Sequence, residues 1–319
     1  MKKKIHTLAI MLISSSFLLV PKTGVADFEF QPRLETGVMF YCFEQAPRSE
    51  TMLSKPGEAS GSNYAAKKVE LSDYLDFISG GGTFFINRLF IDLSGQYTFN
   101  GNARTQVSES IYLENRNIFF SDETDNHAQF DRTNQAVSAG YAVTGRFSVY
   151  VGYKWAASDL HSTFDGAFGS LDINNYIASG RAIGANHNKF KYEGPFIGVT
   201  HGWVIDNPGF FKGLISAKVA LAYLRSEFSL NQTGTMIYDS INGLEIEPVF
   251  VPLYQKTKIK GDTLGLALGF DWHGTTPIKN LSYGIGISGY RYNFDADDSD
   301  SIDVNETAVT FKVRLSHVF

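Results

Sequence analysis

Apolar and polar residues alternate along most of the chain. From Phe28, the positions Phe28, Phe30, Leu34, Val38 and Phe40 share one parity, and Glu29, Gln31, Arg33 and Glu35 share the other. Leu89, Ile91, Leu93, Tyr97 and Phe99 stand in the same way against Asp92, Ser94, Gln96 and Thr98. The pattern returns at Phe147–Trp155, Ile215–Tyr223, Leu264–Trp272 and Val309–Leu315. Successive side chains of a strand point to opposite faces, so each segment predicts a strand with one apolar and one polar side. The alternation predicts ten strands, near 28–41, 69–86, 88–99, 128–144, 146–157, 189–205, 213–229, 256–272, 280–294 and 305–319. Gly80-Gly81-Gly82 and Gly194-Pro195 interrupt the second and sixth, where bulges or kinks are expected.

A soluble sandwich alternates too, and three features separate the two cases. The segments run to about 12–16 residues, against a mode of about 5–6 in soluble sheets. Short turns (Asn87-Arg88, Thr144-Gly145, 206–212, 273–280) take turns with polar stretches at 42–68, 100–127, 158–188, 231–255 and 295–305. Aromatic residues gather towards strand ends: Phe40, Tyr41, Tyr97, Phe99, Trp155, Trp203, Trp272, Tyr290 and Tyr292. Short turns on one side, long loops on the other and aromatic girdles describe a transmembrane antiparallel up-and-down β-barrel. The expected class is all-β, with ten strands (eight to twelve bracketing the count), short periplasmic turns and long external loops.

The N-terminus fits export. Lys2-Lys3-Lys4 precedes an apolar run from Leu8 to Val20, and Gly24-Val25-Ala26 supplies small residues for cleavage, so 1–26 reads as a signal peptide and 27–319 as one barrel domain. The chain has 28 Lys+Arg against 33 Asp+Glu, and four of the lysines (Lys2, Lys3, Lys4 and Lys22) lie in that leader. The exported part is acidic, which argues against nucleic acid as a partner. A single cysteine, Cys42, excludes an intramolecular disulfide and a multi-cysteine zinc site.

Phe311, Val313, Leu315 and the terminal Phe319 resemble the closing strand of Gram-negative outer-membrane β-barrel proteins. The resemblance implies location in the outer membrane, contact with its lipid and lipopolysaccharide, and reading of that strand by the barrel-assembly machinery. His317 stands where such proteins usually carry an apolar or aromatic residue. The resemblance does not fix an activity, because one barrel hosts pores, enzymes and adhesins.

Chemistry is sparse. Gly284–Gly289 fits G-x-G-x-x-G but continues as a strand, so its glycines are expected to make room in a crowded lumen. Omptins are ten-stranded outer-membrane proteases whose activity rests on an Asp–His couple facing an Asp pair across the outer mouth. Asp159-Leu160-His161 is the string here at the corresponding end, with Asp122 and Asp125 as its best acidic partners, in the neighbouring loop rather than on the opposite wall, and Asp271-Trp272-His273 falls at the wrong end. His201 lacks the serine partner of a deacylase. No cofactor or metal is expected.

The inward face is expected to carry Glu29, Arg33, Glu35, Asp92, Arg132, Arg146, Lys154, Lys218, Glu306, Lys312 and Arg314, interlocked in a packed lumen. Three functions fit this reading. The leading one is a non-enzymatic structural or adhesin-like surface protein, whose loops would meet an extracellular ligand. A narrow channel is the alternative, and an omptin-like protease the second alternative.

Overall fold

Ten antiparallel strands close into a ring in the computed structural model, which describes residues 28–47, 64–113, 116–118, 126–173, 176–205, 213–276, 278, 280–296 and 302–318. The strands are β1 (Phe28–Pro47), β2 (Tyr64–Ile86), β3 (Leu89–Leu113), β5 (Asn126–Ala142), β6 (Phe147–Ile173), β7 (Tyr176–Ile205), β8 (Gly213–Ile241), β9 (Leu244–Thr275), β10 (Leu281–Ala296) and β11 (Ile302–His317). A three-residue piece, β4 (Arg116–Ile118), folds back on the end of β3. Each barrel strand pairs with its neighbour in sequence, and β1 pairs with β11 to complete the ring. The proposed leader, Phe319 and the acidic runs at 121–125 and 297–300 lie outside the described residues.

The apolar parity faces outward as a continuous belt: Leu34, Val38, Leu93, Val151, Ile197, Leu221, Leu266, Ile287, Phe311, Val313 and Leu315 are all exposed. Such a surface is stable only against hydrocarbon. Leu266 is 44% exposed on the lower part of β9, between the belt residues Leu264 and Leu268. Leu266→Arg is therefore expected to destabilise the barrel in lipid by about 2–4 kcal/mol, read as a shift in urea unfolding from vesicles. An unchanged midpoint would place Leu266 away from lipid.

One end of the barrel matches the expected turns. Asn87 takes the left-handed conformation (φ 58°) in the Asn87-Arg88 turn, which asparagine tolerates better than most residues. The other end differs. The stretches expected as loops at 158–188 and 231–255 are mostly strand, carried upward as the hairpins β6–β7 and β8–β9. The second closes through Ile241-Asn242-Gly243-Leu244, with φ of 52° at Asn242 and 77° at Gly243, the geometry of a type I′ turn. The outer halves escaped the alternation reading because beyond the belt the apolar residues pass to the inward parity, as with Leu160, Phe190, Leu224 and Phe228, while the outward parity turns polar.

Among the described residues β10 ends opposite Gly261, and β5 stops pairing with β6 at Ser162. Beyond that level β6–β9 continue as an open four-stranded sheet. Its β9 edge carries Lys256, Lys258 and Lys260, with Pro248 and Pro252, residues that discourage pairing with another strand. The triglycine 80–82 forms no bulge: it pairs without a break against Pro32, Arg33 and Leu34. At Gly194-Pro195 the ladder to β8 does lapse, between Glu193↔Arg225 and Phe196↔Ala222, since proline has no N–H to donate.

Candidate functional site

The interior has two storeys. At the level of the apolar belt, arginines, lysines and acids on inward positions of β3, β1, β11, β9 and β8 form a connected arc. Arg33 holds Asp92 through two hydrogen bonds of 2.5 and 2.8 Å, and Thr83 donates to the same carboxylate at 2.5 Å. Arg314 donates to Glu35 through Nε at 2.5 Å and reaches His273 Nε2 at 3.2 Å. Asp271 receives Lys312 at 2.9 Å and Lys218 at 3.3 Å. Gly286 lies between Asp271 and Lys312 in the register, and a Cβ there would come within 2.2 Å of Asp271 Oδ1. The glycine therefore lets the two long arms meet across β10. Facing the arc, β5, β6 and β7 offer Ser138, Ser148, Tyr150, Phe196 and Thr200, and a cavity of about 620 Å³ lies between.

Above this cavity the lumen is filled by side chains. Met39, Tyr41, Phe43, Phe130, Leu160, Phe190, Tyr192, Leu224, Phe228, Tyr292 and Phe294 form one buried core. The ring centroids of Phe43 on β1 and Phe190 on β7, five strands apart around the ring, are 4.5 Å apart, so the contact spans the full diameter. Phe190 in turn stacks on Phe228 at 4.5 Å. Within this core lies an ion pair: Arg132 (2% exposed) and Glu306 (0%) meet at 2.6 Å. Arg132 also donates to Ser158 at 2.6 Å and sits over the Tyr290 ring at 5.2 Å. Lys154 hydrogen-bonds Tyr292 and lies 5.2 Å from the Tyr290 centroid.

These positions revise several expectations. Tyr41, Tyr290 and Tyr292 belong to the interior rather than to a girdle, because their parity faces inward. Arg146 is exposed in the turn before β6, and Glu29 is exposed at the start of β1, both clear of the arc. Asp271 and His273, set aside as lying at the wrong end for a protease, are members of the arc. His201 packs between Phe147 and the Trp203 ring, the latter at 4.5 Å, within an aromatic rim.

Asp159 and His161 share the outward parity of Tyr153 and Trp155, whereas Ser158, Leu160 and Ser162 point inward and are buried. The couple stands on the outer wall, facing away from the mouth. Its partners come from β7: Asp159 Oδ1 meets His187 Nε2 at 2.6 Å, and Asp159 Oδ2 meets Lys189 at 3.3 Å. Asp122 and Asp125 lie outside the described residues. Further round the same wall, a 2.9 Å pair with Lys258 holds the Glu227 carboxyl below its ordinary value.

No protein-family model matches the chain, and no characterised protein matches it by sequence. Its shape has solved counterparts. The outer membrane protease OmpT of Escherichia coli superposes with a TM-score of 0.57 at 11% identity, over 93% of this chain and 99% of that one. This is the outer-membrane β-barrel fold. The translocator domain of autotransporter NalP from Neisseria meningitidis (TM-score 0.29, 9% identity, 99% and 95% coverage) is more distant. So is a Pseudomonas aeruginosa FadL homologue (0.27, 12%, 92% and 90%). At these identities the likeness is one of fold alone, and the site decides function.

Proposed function

We propose that the protein is a non-enzymatic outer-membrane barrel that holds an adhesin-like sheet away from the cell surface. The carrying observation is the β8–β9 hairpin, which extends past the apolar belt with Phe250 66% and Tyr254 72% exposed. Leu244, Val249 and Val251 are exposed nearby on the same strand. Phe250 and Tyr254 stand on one face of β9 and Val249 and Val251 on the other, so both faces of the protruding hairpin present apolar side chains to water, which favours a partner. The filled interior supports this reading, since Phe43, Phe190 and Phe228 meet across the lumen above the cavity. By the usual topology of such barrels the short-turn end faces the periplasm and the hairpin faces outward.

Cells displaying the protein should aggregate and stay on an apolar surface better than cells without it. The Phe250→Ser/Tyr254→Ser double variant should lose that gain while still migrating as a folded, heat-modifiable barrel. Equal retention with and without display would reject the reading. The purified barrel should also be electrically silent in a planar bilayer; stable unitary currents would favour the channel alternative.

A further inference from the structure

The geometry points to a zinc-class divalent-metal site on the outer wall of the barrel, formed by Asp159 Oδ1, His161 Nε2 and His187 Nε2. These donor atoms lie within 4.8 Å of one another. Both imidazole nitrogens aim at one oxygen, with His187 Nε2 at 2.6 Å and His161 Nε2 at 3.2 Å from Asp159 Oδ1. Tetrahedral zinc with ligands at about 2.0–2.2 Å holds donor atoms roughly 3.4 Å apart, so the three need only small side-chain adjustments to close on an ion.

The backbone fixes this convergence. Asp159 and His161 are two apart on β6 and therefore share a face, while His187 is the direct cross-strand partner of His161. The two rings stack with centroids 3.9 Å apart and planes 24° apart, so both edges present nitrogen in the same direction. Lys189 occupies the other carboxylate oxygen, Oδ2, at 3.3 Å and leaves Oδ1 to the imidazoles. The site is half exposed, which leaves a fourth position for water or an external ligand.

Two imidazoles and one carboxylate suit Zn²⁺, Ni²⁺ or Cu²⁺, whereas Ca²⁺ and Mg²⁺ prefer oxygen donors in larger number. A bound ion would join β6 to β7 just beyond Trp155, where the hairpin leaves the apolar belt. Sequence spacing did not reveal it, because His187 is brought to Asp159 only by pairing across the hairpin.

Isothermal titration of the untagged, refolded mature chain in detergent with ZnCl₂ is expected to show saturable binding of one equivalent. His161→Ala/His187→Ala and Asp159→Asn should lose it while remaining heat-modifiable, and CaCl₂ and MgCl₂ should give no such isotherm. Replacing zinc with Co²⁺ should produce the visible absorption of a tetrahedral centre, absent in the double variant. Zinc binding that persists unchanged in His161→Ala/His187→Ala would overturn the assignment, as would the absence of saturable binding in the unaltered chain. Neither outcome bears on the hairpin-tip reading, whose residues lie elsewhere.

Discussion

Arg132→Ala is expected to cost the folded barrel about 3–5 kcal/mol, because the buried Glu306 carboxylate would be left charged with no cation beside it, Tyr290 remaining as a hydrogen-bond donor at 2.8 Å. The two side chains are 2.6 Å apart, 1% and 0% exposed, and enclosed by the aromatic core. Urea unfolding of the barrel in lipid vesicles measures the loss. The double replacement Arg132→Met/Glu306→Leu should recover most of it, since removing both charges from such a site is often neutral or stabilising. If Arg132→Ala unfolds at the unaltered midpoint, water reaches Glu306 and the lumen is open at this level.

Asp271→Ala should have the next largest effect. Asp271 is 3% exposed and the shared partner of Lys312 and Lys218, with Arg314 at 3.9 Å. Four cations (Arg33, Lys218, Lys312 and Arg314) face three acids (Glu35, Asp92 and Asp271) in the arc. Losing Asp271 leaves Lys218, Lys312 and Arg314 close together with Glu35 as their remaining acid. The cost is expected near the lower end for a broken buried pair, about 3 kcal/mol, because the adjoining cavity admits water. Lys218→Ala should cost under about 1 kcal/mol, since its side chain is 39% exposed. The same unfolding assay ranks the two. A Lys218→Ala loss equal to that of Asp271→Ala would mean that Asp271 is not the hub.

The membrane half of this fold could be read from the sequence, and the outer half could not, for one physical reason. Within the belt hydrocarbon lies outside and charge inside, so Leu264, Leu266 and Leu268 on one parity announce the strand. Beyond the belt the parity persists but its meaning reverses. On β8, Leu221 and Tyr223 face out, then Leu224 and Phe228 face in while Arg225 and Glu227 take the outer side. On β1 the exchange falls at Phe40-Tyr41. An adjacent apolar pair marks each reversal and was the available signal for the buried core. The stretch 231–255 was expected as a loop, although its Asn242-Gly243 pair is a hairpin-turn signal that the structure uses. The contact of Arg132 with Glu306 was not legible, because pairing across a lumen depends on strand stagger rather than on spacing along the chain.

The length of β8 beyond the belt bears on mechanics. From Leu224 to Ile241 the strand continues at about 3.3 Å per residue, and with a tilt near 40° the hairpin tip stands roughly 45 Å above its last lipid-facing row. A tether attached at that tip would pull along the strands, so β8 and β9 could be withdrawn only by sliding past β7 and β10. In that direction the ladder hydrogen bonds would resist load together rather than one at a time.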